Sequence, residues 1–431
     1  MKSESMRTLK LLTLVDRQAL PDDEGARRRI AWNLPVFVGT SFLTKTGDAL
    51  LNPKITLTWL MQMLGAHPAA IALLVPLRES LSMLPQIMLA KLVNDRARLS
   101  PLLRIGAVLQ AVAVFGMALV AFTMEGTRAG WLMLACVAGF SLARCLCSLV
   151  SKAVMAKLMP KGLRGQAGGW AASAAGLATL SMAAGLLLFS GDRLSTVVAL
   201  GLLLGAGVMW VLASLSFGLL DEPADKANES VASTIRERLA LLVDDTEFRQ
   251  FVVVRTLLLS SALVAPYYLL LGEQDEQRLQ QLASLLLASG IASLLSSPFW
   301  GFFSDVSSRG VLIAAALSVA ALGALTFGIA SIEPDWLTTV WLLPSCYFVL
   351  EIAHQGIRIG RKTYIVDMAD ADERVDYVAA SNSAIGVMLL VIGGISSLLT
   401  FILSPAMMIA VLSTLTLLGA LLAHRLPEVT V

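Results

Sequence analysis

Long apolar stretches recur along the whole chain, separated by short polar turns. Each is near or above the length of about 20 residues that a helix needs to cross a bilayer. Within a stretch the apolar residues run on continuously instead of alternating with polar ones. The pattern therefore predicts helices, and the short alternating strands of an outer-membrane barrel do not fit it. The stretches fall near 30–52, 67–93, 101–124, 129–158, 166–189 and 194–219, and then near 248–271, 278–303, 310–331, 336–368, 375–403 and 404–426. The fold class expected is an all-α polytopic membrane protein with 12 transmembrane helices in two six-helix bundles.

The longest polar interruption, from Leu220 to Glu247, separates the two sets. It sets the expected organisation: an N-terminal tail over 1–29, a first bundle over 30–219, a central linker over 220–247, a second bundle over 248–426 and a short tail over 427–431. Within the linker Ile235, Leu239 and Leu242 recur at helical spacing among charges, which predicts a short amphipathic helix at the membrane surface. Either a regulatory element or a passive tether fits that pattern.

Charged residues at the ends of the stretches repeat at one displacement. Asp95 and Asp305, Lys152 and Lys362, and Arg164 and Arg374 are each 210 residues apart. A duplicated six-helix unit explains this, and parallel repeats are a plan used by membrane transporters.

Composition supports a membrane chain. Of 431 residues 56% are hydrophobic and 15% charged, against roughly 25% charged in soluble proteins. The net charge of +2 hides an asymmetry. With both termini placed inside, inner segments and helix ends hold 25 Lys and Arg, while the outer loops hold Lys54, Arg128, Arg193 and Arg278. The positive-inside rule then puts both termini in the cytoplasm of an inner (plasma) membrane protein, with Arg27, Arg28 and Arg29 anchoring the first helix. Residues 1–27 are too polar for a cleavable signal. Cys136, Cys145, Cys147 and Cys346 fall inside helices without metal spacing and read as small packing residues. Glycine and alanine crowd the fifth span (Gly165, Gly169, Gly176, Gly185), and Ser381, Ser383, Gly386, Gly393 and Gly394 repeat the character in the eleventh. Small residues allow close helix approach, so both spans are expected to line the joint between halves.

Two loops carry a recognisable motif. The chain reads LAKLVNDRARLSPLL after the second span and GFFSDVSSRGVLI after the eighth. With Asp95, Arg96 and Arg98 in the first copy and Gly301, Asp305 and Arg309 in the second, they resemble the paired cytoplasmic loop signature of the major facilitator superfamily. The first copy has Lys91 in place of the family glycine, and Arg98 where a second glycine is usual. The fourth span, LARCLCSLVSKAV, is similar to the superfamily's fourth-helix signature with its buried arginine, here Arg144, but Cys147 and Ser148 replace the usual glutamine and glycine. The proline-bearing signature of drug/proton antiporters is missing from the fifth. The resemblance implies a cytoplasmic latch, in which each loop aspartate accepts from helix N-terminal amides and basic partners hold it.

Ionisable groups inside apolar helices cost several kcal/mol when unpaired, so they face a partner or a watery cavity. Lys45, Asp48 and Asn52 share a face of the first span. Arg78 and Glu79 lie in the second, Arg144 with Ser148 and Ser151 in the fourth, and Arg255 in the seventh. Glu351, His354, Arg358 and Arg361 share one side of the tenth. Arg144 and Glu351 fall nearest mid-span, where transporters of this plan hold substrate. Counted within the spans, Lys45, Arg78, Arg144 and Arg255 exceed Asp48, Glu79 and Glu351 by one. Mutual neutralisation accounts for nearly all of these charges. The functional alternative gives Asp48 or Glu351 the uptake and release of a coupling proton, with His354 as relay.

The function expected is secondary active transport of a small solute by alternating access, with a proton as the candidate coupling ion. No phosphate-cradling GxxxxGK[ST] loop serves a nucleotide-driven pump, and no HExxH or GxSxG motif serves an intramembrane enzyme. A lipid flippase or a non-transporting sensor on the same fold is the alternative. The partners expected are a small-molecule substrate, the coupling proton and the bilayer. A monomer is expected, without nucleic acid, cofactor or metal.

Overall fold

The structure is a computed structural model that describes residues 23–86, 89, 96–159, 176–178, 180–185, 195–224, 235–272, 278–338, 341–368 and 374–429. The described residues are helical almost throughout. In the first half run α1 (Glu24–Leu50), α2 (Thr56–Met63), α3 (Pro68–Met83), α4 (Ser100–Thr123), α5 (Gly126–Leu158) and α6 (Ser195–Phe217). The linker forms α7 (Ile235–Asp244). The second half contains α8 (Thr246–Leu258), α9 (Ser260–Leu263), α10 (Ala265–Leu271), α11 (Arg278–Val306), α12 (Ser308–Ile332), a 3-10 turn at Pro334–Thr338, α13 (Leu342–Met368), α14 (Arg374–Leu399) and α15 (Pro405–Ala423).

Seven helical segments among the described residues are long and apolar enough to cross a membrane: α4, α5, α6, the run α8 to α10, α12, α14 and α15. The helices outside this set include α1, α3 and α13, which carry Asp48, Arg78, Glu79 and Glu351. Their polar residues lower their hydropathy: α3 and α13 turn charged residues to a cavity, and Asp48 of α1 pairs with two arginines that line it.

Lipid-facing packing reverses the soluble pattern. On α4 the residues turned inward are Leu103, Gly106, Ala107, Gln110, Ala111, Val114 and Met117, a stripe at helical spacing rich in small side chains. Those turned outward include Ile105, Leu109, Val112, Leu119 and Phe122. In hydrocarbon there is no gain from hiding large apolar groups, so helix contact is driven by close packing of small ones. Within the first half α4 packs on α5 and α6, α1 on α6, and α3 on α5. Within the second α13 packs on α11 and α12, and α15 on α12.

The halves meet along α3 and α14. A side chain added at Gly393 would collide with Pro76, and one at Gly386 with Leu84, so these two glycines permit the close approach. Ser397 Oγ donates to the Ala69 carbonyl at 2.9 Å, and the rings of His67 and Phe401 lie 4.7 Å apart. The eleventh span thus lines the joint as its composition predicted. Much of the fifth lies outside the described residues, but its Leu180 sits against Gly290 of α11. Helix α7 forms where the linker periodicity placed it, with Leu241 and Leu242 packed against the core.

Each half closes on itself through a carboxylate just past its last helix. Glu222 is 5% exposed and accepts from the backbone N–H of Leu99 (2.9 Å) and Ser100 (2.7 Å) and from Lys157 Nζ (3.2 Å), so it caps α4 and ties it to α5. In the second half Glu428 accepts from Ser307 Oγ at 2.9 Å and pairs with Arg309 at 3.2 Å at the start of α12. The two stand in Leu-x-Glu sequences, Leu220-Asp221-Glu222 and Leu426-Pro427-Glu428, a second echo of the repeat. A further link joins α8 to α14: Asp245 caps α8 through the N–H groups of Glu247 and Phe248 and accepts from Tyr377 at 2.7 Å. Partial burial opposes ionisation of Asp245, but the bonds from Phe248, Tyr377 and Glu247, with Arg249 nearby, hold it below the usual carboxylate range.

Two predictions follow from these ties. Glu222→Ala takes the acceptor from the Leu99 and Ser100 amides and the charge partner from Lys157, which keeps its bond to the Ala97 carbonyl, and should cost about 3 kcal/mol. Glu428→Ala, whose side chain and that of Arg309 are about a third exposed, should cost under about 1 kcal/mol. Equal loss of thermal stability in detergent would contradict the assignment. Asp245→Asn tests the other link. Because the folded carboxyl titrates below its unfolded value of about 3.9, its stabilisation is full above that pH and fades as pH falls through the folded value. The melting-temperature gap between wild type and Asp245→Asn should therefore shrink between pH 6 and pH 3.

Candidate functional site

A cavity of about 360 Å³ lies between the halves, lined from α3 and α5 on one side and from α8, α9, α13 and α14 on the other. Its floor is a break between α1 and α2. Here the structure corrects the sequence reading, which ended the first span at residue 52 and left Lys54 in an outer loop. Asn52-Pro53 interrupts the helix because proline lacks the N–H and crowds the preceding turn. The chain is then restitched: Lys54 N–H donates to Asn52 Oδ1 (2.9 Å), Leu57 N–H to the Asn52 carbonyl (3.0 Å) and Thr58 Oγ1 to the Pro53 carbonyl (2.7 Å). Helix resumes at Thr56 with every residue to Gln62 buried. Gly126 N–H donates to the Leu64 carbonyl at 2.6 Å, so the end of α2 lies level with the start of α5. Lys54 therefore sits roughly 15 Å deeper, at 1.5 Å per residue. The repeat supports this, since α10 begins 209 residues after α2.

On the first-half wall four charges neutralise one another. Asp48 of α1 accepts from Arg144 of α5 and from Arg78 of α3, the latter at 3.4 Å. Arg78 also reaches Glu79 at 3.3 Å and lies over the Phe140 ring, 5.9 Å from its centroid. Three helices are joined by this network.

Across the joint Lys54 Nζ meets Glu351 Oε1 of α13 at 3.0 Å, and Tyr347, one turn back on the same helix, donates to that oxygen at 3.3 Å. Glu351 is 4% exposed. This largely buried ion pair links first half to second at the cavity floor.

The second-half wall differs. Arg255 of α8, 8% exposed, donates to Ser381 Oγ at 2.5 Å and Asn382 Oδ1 at 2.9 Å, both neutral groups of α14. His354 Nδ1 and Ser261 Oγ are 3.0 Å apart. Arg358 and Arg361 line the cavity from α13, Arg358 exposed and Arg361 partly so.

All eight candidate residues read from the spans, Asp48, Arg78, Glu79, Arg144, Arg255, Glu351, His354 and Arg358, thus meet in or beside one cavity. Sequence reasoning missed Lys54, Ser381 and Asn382. The proline at the break was a signal for Lys54, whereas a serine and an asparagine in a small-residue helix carried none. The loop residues fare differently. Asp95 lies outside the described residues. Asp305 is in the last turn of α11, with its side chain outside them. Arg96 and Arg98 are exposed, and Gly301 has open space where a side chain would stand. Arg309 bonds the Leu426 carbonyl at 2.9 Å and Glu428. The cysteines are free thiols, and Cys147 accepts from Gln110 at 3.3 Å. Among the described residues no group of His, Cys, Asp and Glu is arranged to hold a metal ion.

No protein-family model and no curated protein matches the sequence. Solved structures do match its shape. The nucleoside transporter NupG superposes with a TM-score of 0.67 at 14% identity, covering 91% of this chain and 98% of that one. A POT family transporter in complex with 5-aminolevulinic acid gives 0.65 at 12%, over 90% and 94%, and a D-xylose-proton symporter 0.63 at 14%, over 92% and 98%. These neighbours are transporters, and the likeness covers about nine-tenths of this chain. By its architecture the chain is a multi-pass membrane protein with the fold of major facilitator superfamily transporters.

Proposed function

We propose that the protein is a secondary active transporter that moves a small solute by alternating access, with twelve spans, a cytoplasmic N-terminal tail over 1–29, bundles over 30–219 and 248–426 and a linker over 220–247 between them. The basic bias of the inner segments supports placing both termini in the cytoplasm. The observation that carries the reading is the Lys54–Glu351 pair, a buried tie between halves at the floor of a charged cavity.

The halves touch on the side of His67, Ala69, Ser397 and Phe401, while Arg358 and Lys362 are exposed toward the other end. The exposure at that end supports reading the state as inward-facing. To open outward the halves must part along α3 and α14 and break the Lys54–Glu351 pair. A proton on Glu351 cancels its charge and releases Lys54, which couples proton binding to opening. Glu351 is surrounded by Lys54 and Tyr347 in contact, by His354, Arg358 and Arg361 on its own helix, and by Arg78, Glu79, Arg144 and Arg255 around the cavity. The solute, on reaching that cavity, biases the same equilibrium by binding the two states unequally. Asp95 and Asp305, with their basic neighbours, serve as the cytoplasmic latch in the opposite state.

Spin labels on the outer ends of α3 and α14 should report two distances, and Glu351→Gln, which removes the charge that holds Lys54, should enlarge the longer population. A single distance in wild type and variant alike would remove alternating access, and an unchanged population in Glu351→Gln would take the glutamate out of coupling. In a background without Cys136, Cys145, Cys147 and Cys346, cysteines placed at His67 and Phe401 should cross-link, fix the short distance, and free it again on reduction.

A further inference from the structure

Charges around the cavity fall into three sets. In the first half Arg78 and Arg144 are matched by Asp48 and Glu79. Across the joint Lys54 is matched by Glu351. In the second half Arg255, Arg358 and Arg361 line the cavity and none has an ion-pair partner among the described residues. Glu79 is within electrostatic range of Arg361, but it already holds Arg78 at 3.3 Å. The bases exceed the acids by three, not by the one that counting along the spans had given. The difference arises because the structure brings Lys54, Arg358 and Arg361 to the cavity wall, while Lys45, which was in the count along the spans, does not line it.

Arg255 is the most telling of the three. It is more than nine-tenths buried, and Ser381 and Asn382 orient its guanidinium without neutralising it. Its Nε has no hydrogen-bond partner. A buried cation left uncompensated is costly, and Arg361 is close enough to repel it. An anion that shares the cluster for part of the cycle would offset the cost of burying Arg255 beside Arg361. Arginine suits this use because its planar fork grips a carboxylate or phosphate through two parallel bonds.

We propose that the transported solute is a small organic anion bearing a carboxylate or phosphate group, bound by Arg255, Arg358 and Arg361. This names the substrate class for the transport reading and rests on it. The cavity volume of about 360 Å³ is in the range of small-molecule sites and suits a metabolite-sized solute. Because the first-half wall is internally neutral, the anion is held by the second half. When it enters, the repulsion among the three guanidinium groups ends.

Purified protein is titrated with succinate, a hexose phosphate and inorganic phosphate, with uridine and xylose as neutral solutes, and with phosphatidylglycerol micelles as a lipid source of the same chemistry. Thermal shift and calorimetry are the readouts. At least one soluble anion should bind and stabilise, more weakly as salt rises, and its affinity should drop about tenfold or more in Arg255→Gln and Arg361→Gln. Arg358→Gln, at an exposed position, carries the same test should Arg255→Gln fail to fold. Stabilisation by neutral solutes alone, by the phospholipid alone, or by none of these ligands overturns the proposal. So does anion binding that is equal in wild type, Arg358→Gln and Arg361→Gln. The two readings fail separately. Anion binding without uptake into proteoliposomes removes transport and keeps the ligand class, whereas uptake of a neutral solute alone does the reverse.

Discussion

The cost of placing a charge in hydrocarbon organises this molecule. An ionisable side chain facing lipid is disfavoured by several kcal/mol, so the charged residues of α1, α3, α5, α8 and α13 converge on the one region that is not lipid. Their convergence forms the cavity, and the cavity in turn supplies the reason to keep them. On α4 large apolar side chains face outward and many small ones inward, whereas near the cavity large aromatic side chains such as Phe140, Phe251 and Tyr347 are fully buried. At Gly386 and Gly393 the absence of a side chain lets α14 lie directly on α3. Among the described residues the joint is therefore made of close van der Waals contact, the Lys54–Glu351 ion pair and hydrogen bonds such as Ser397 to Ala69.

This division of labour has mechanical consequences. Within each half, strong ties fasten the ends of helices: Glu222 joins the start of α4 to α5, and Asp48 gathers α1, α3 and α5. Among the described residues the ties between halves are fewer, and an ionic one joins Lys54 to Glu351. Rigid halves and a reversible joint are what rocking of one bundle against the other requires.

Among the described residues the repeat holds in several elements of the architecture and is broken in chemistry. The interrupted first span of each half, the Leu-x-Glu tie at its end and the third helix that receives it recur at displacements of 206 to 210 residues. The cavity walls do not recur. The first half balances two arginines with two carboxylates, while the second orients its arginine with serine and asparagine and adds two more. Duplication supplied the frame, and divergence of a few side chains gave the two walls opposite electrostatic character.

Much of the fold was legible in the sequence, because crossing a bilayer is a one-dimensional requirement. Run length gives the helices, loop charge gives the expected orientation, and the 210-residue displacement gives the duplication. Most of the site residues were legible for the same reason, since a charge such as Arg144 or Glu351 within an apolar run stands out wherever it is. What the chain could not state was which charges meet. Asp48 lies 96 positions from Arg144 and Lys54 lies 297 from Glu351, and no local rule links them. The break at Asn52-Pro53 resembled a helix end, so Lys54 looked like a loop residue until α2 placed it well inside the protein. Periodicity fixes the elements because backbone hydrogen bonding in lipid is local. Pairing, and with it the unbalanced charge of the second-half wall, was decided only by tertiary packing, because electrostatic energy depends on distance in space and not along the chain.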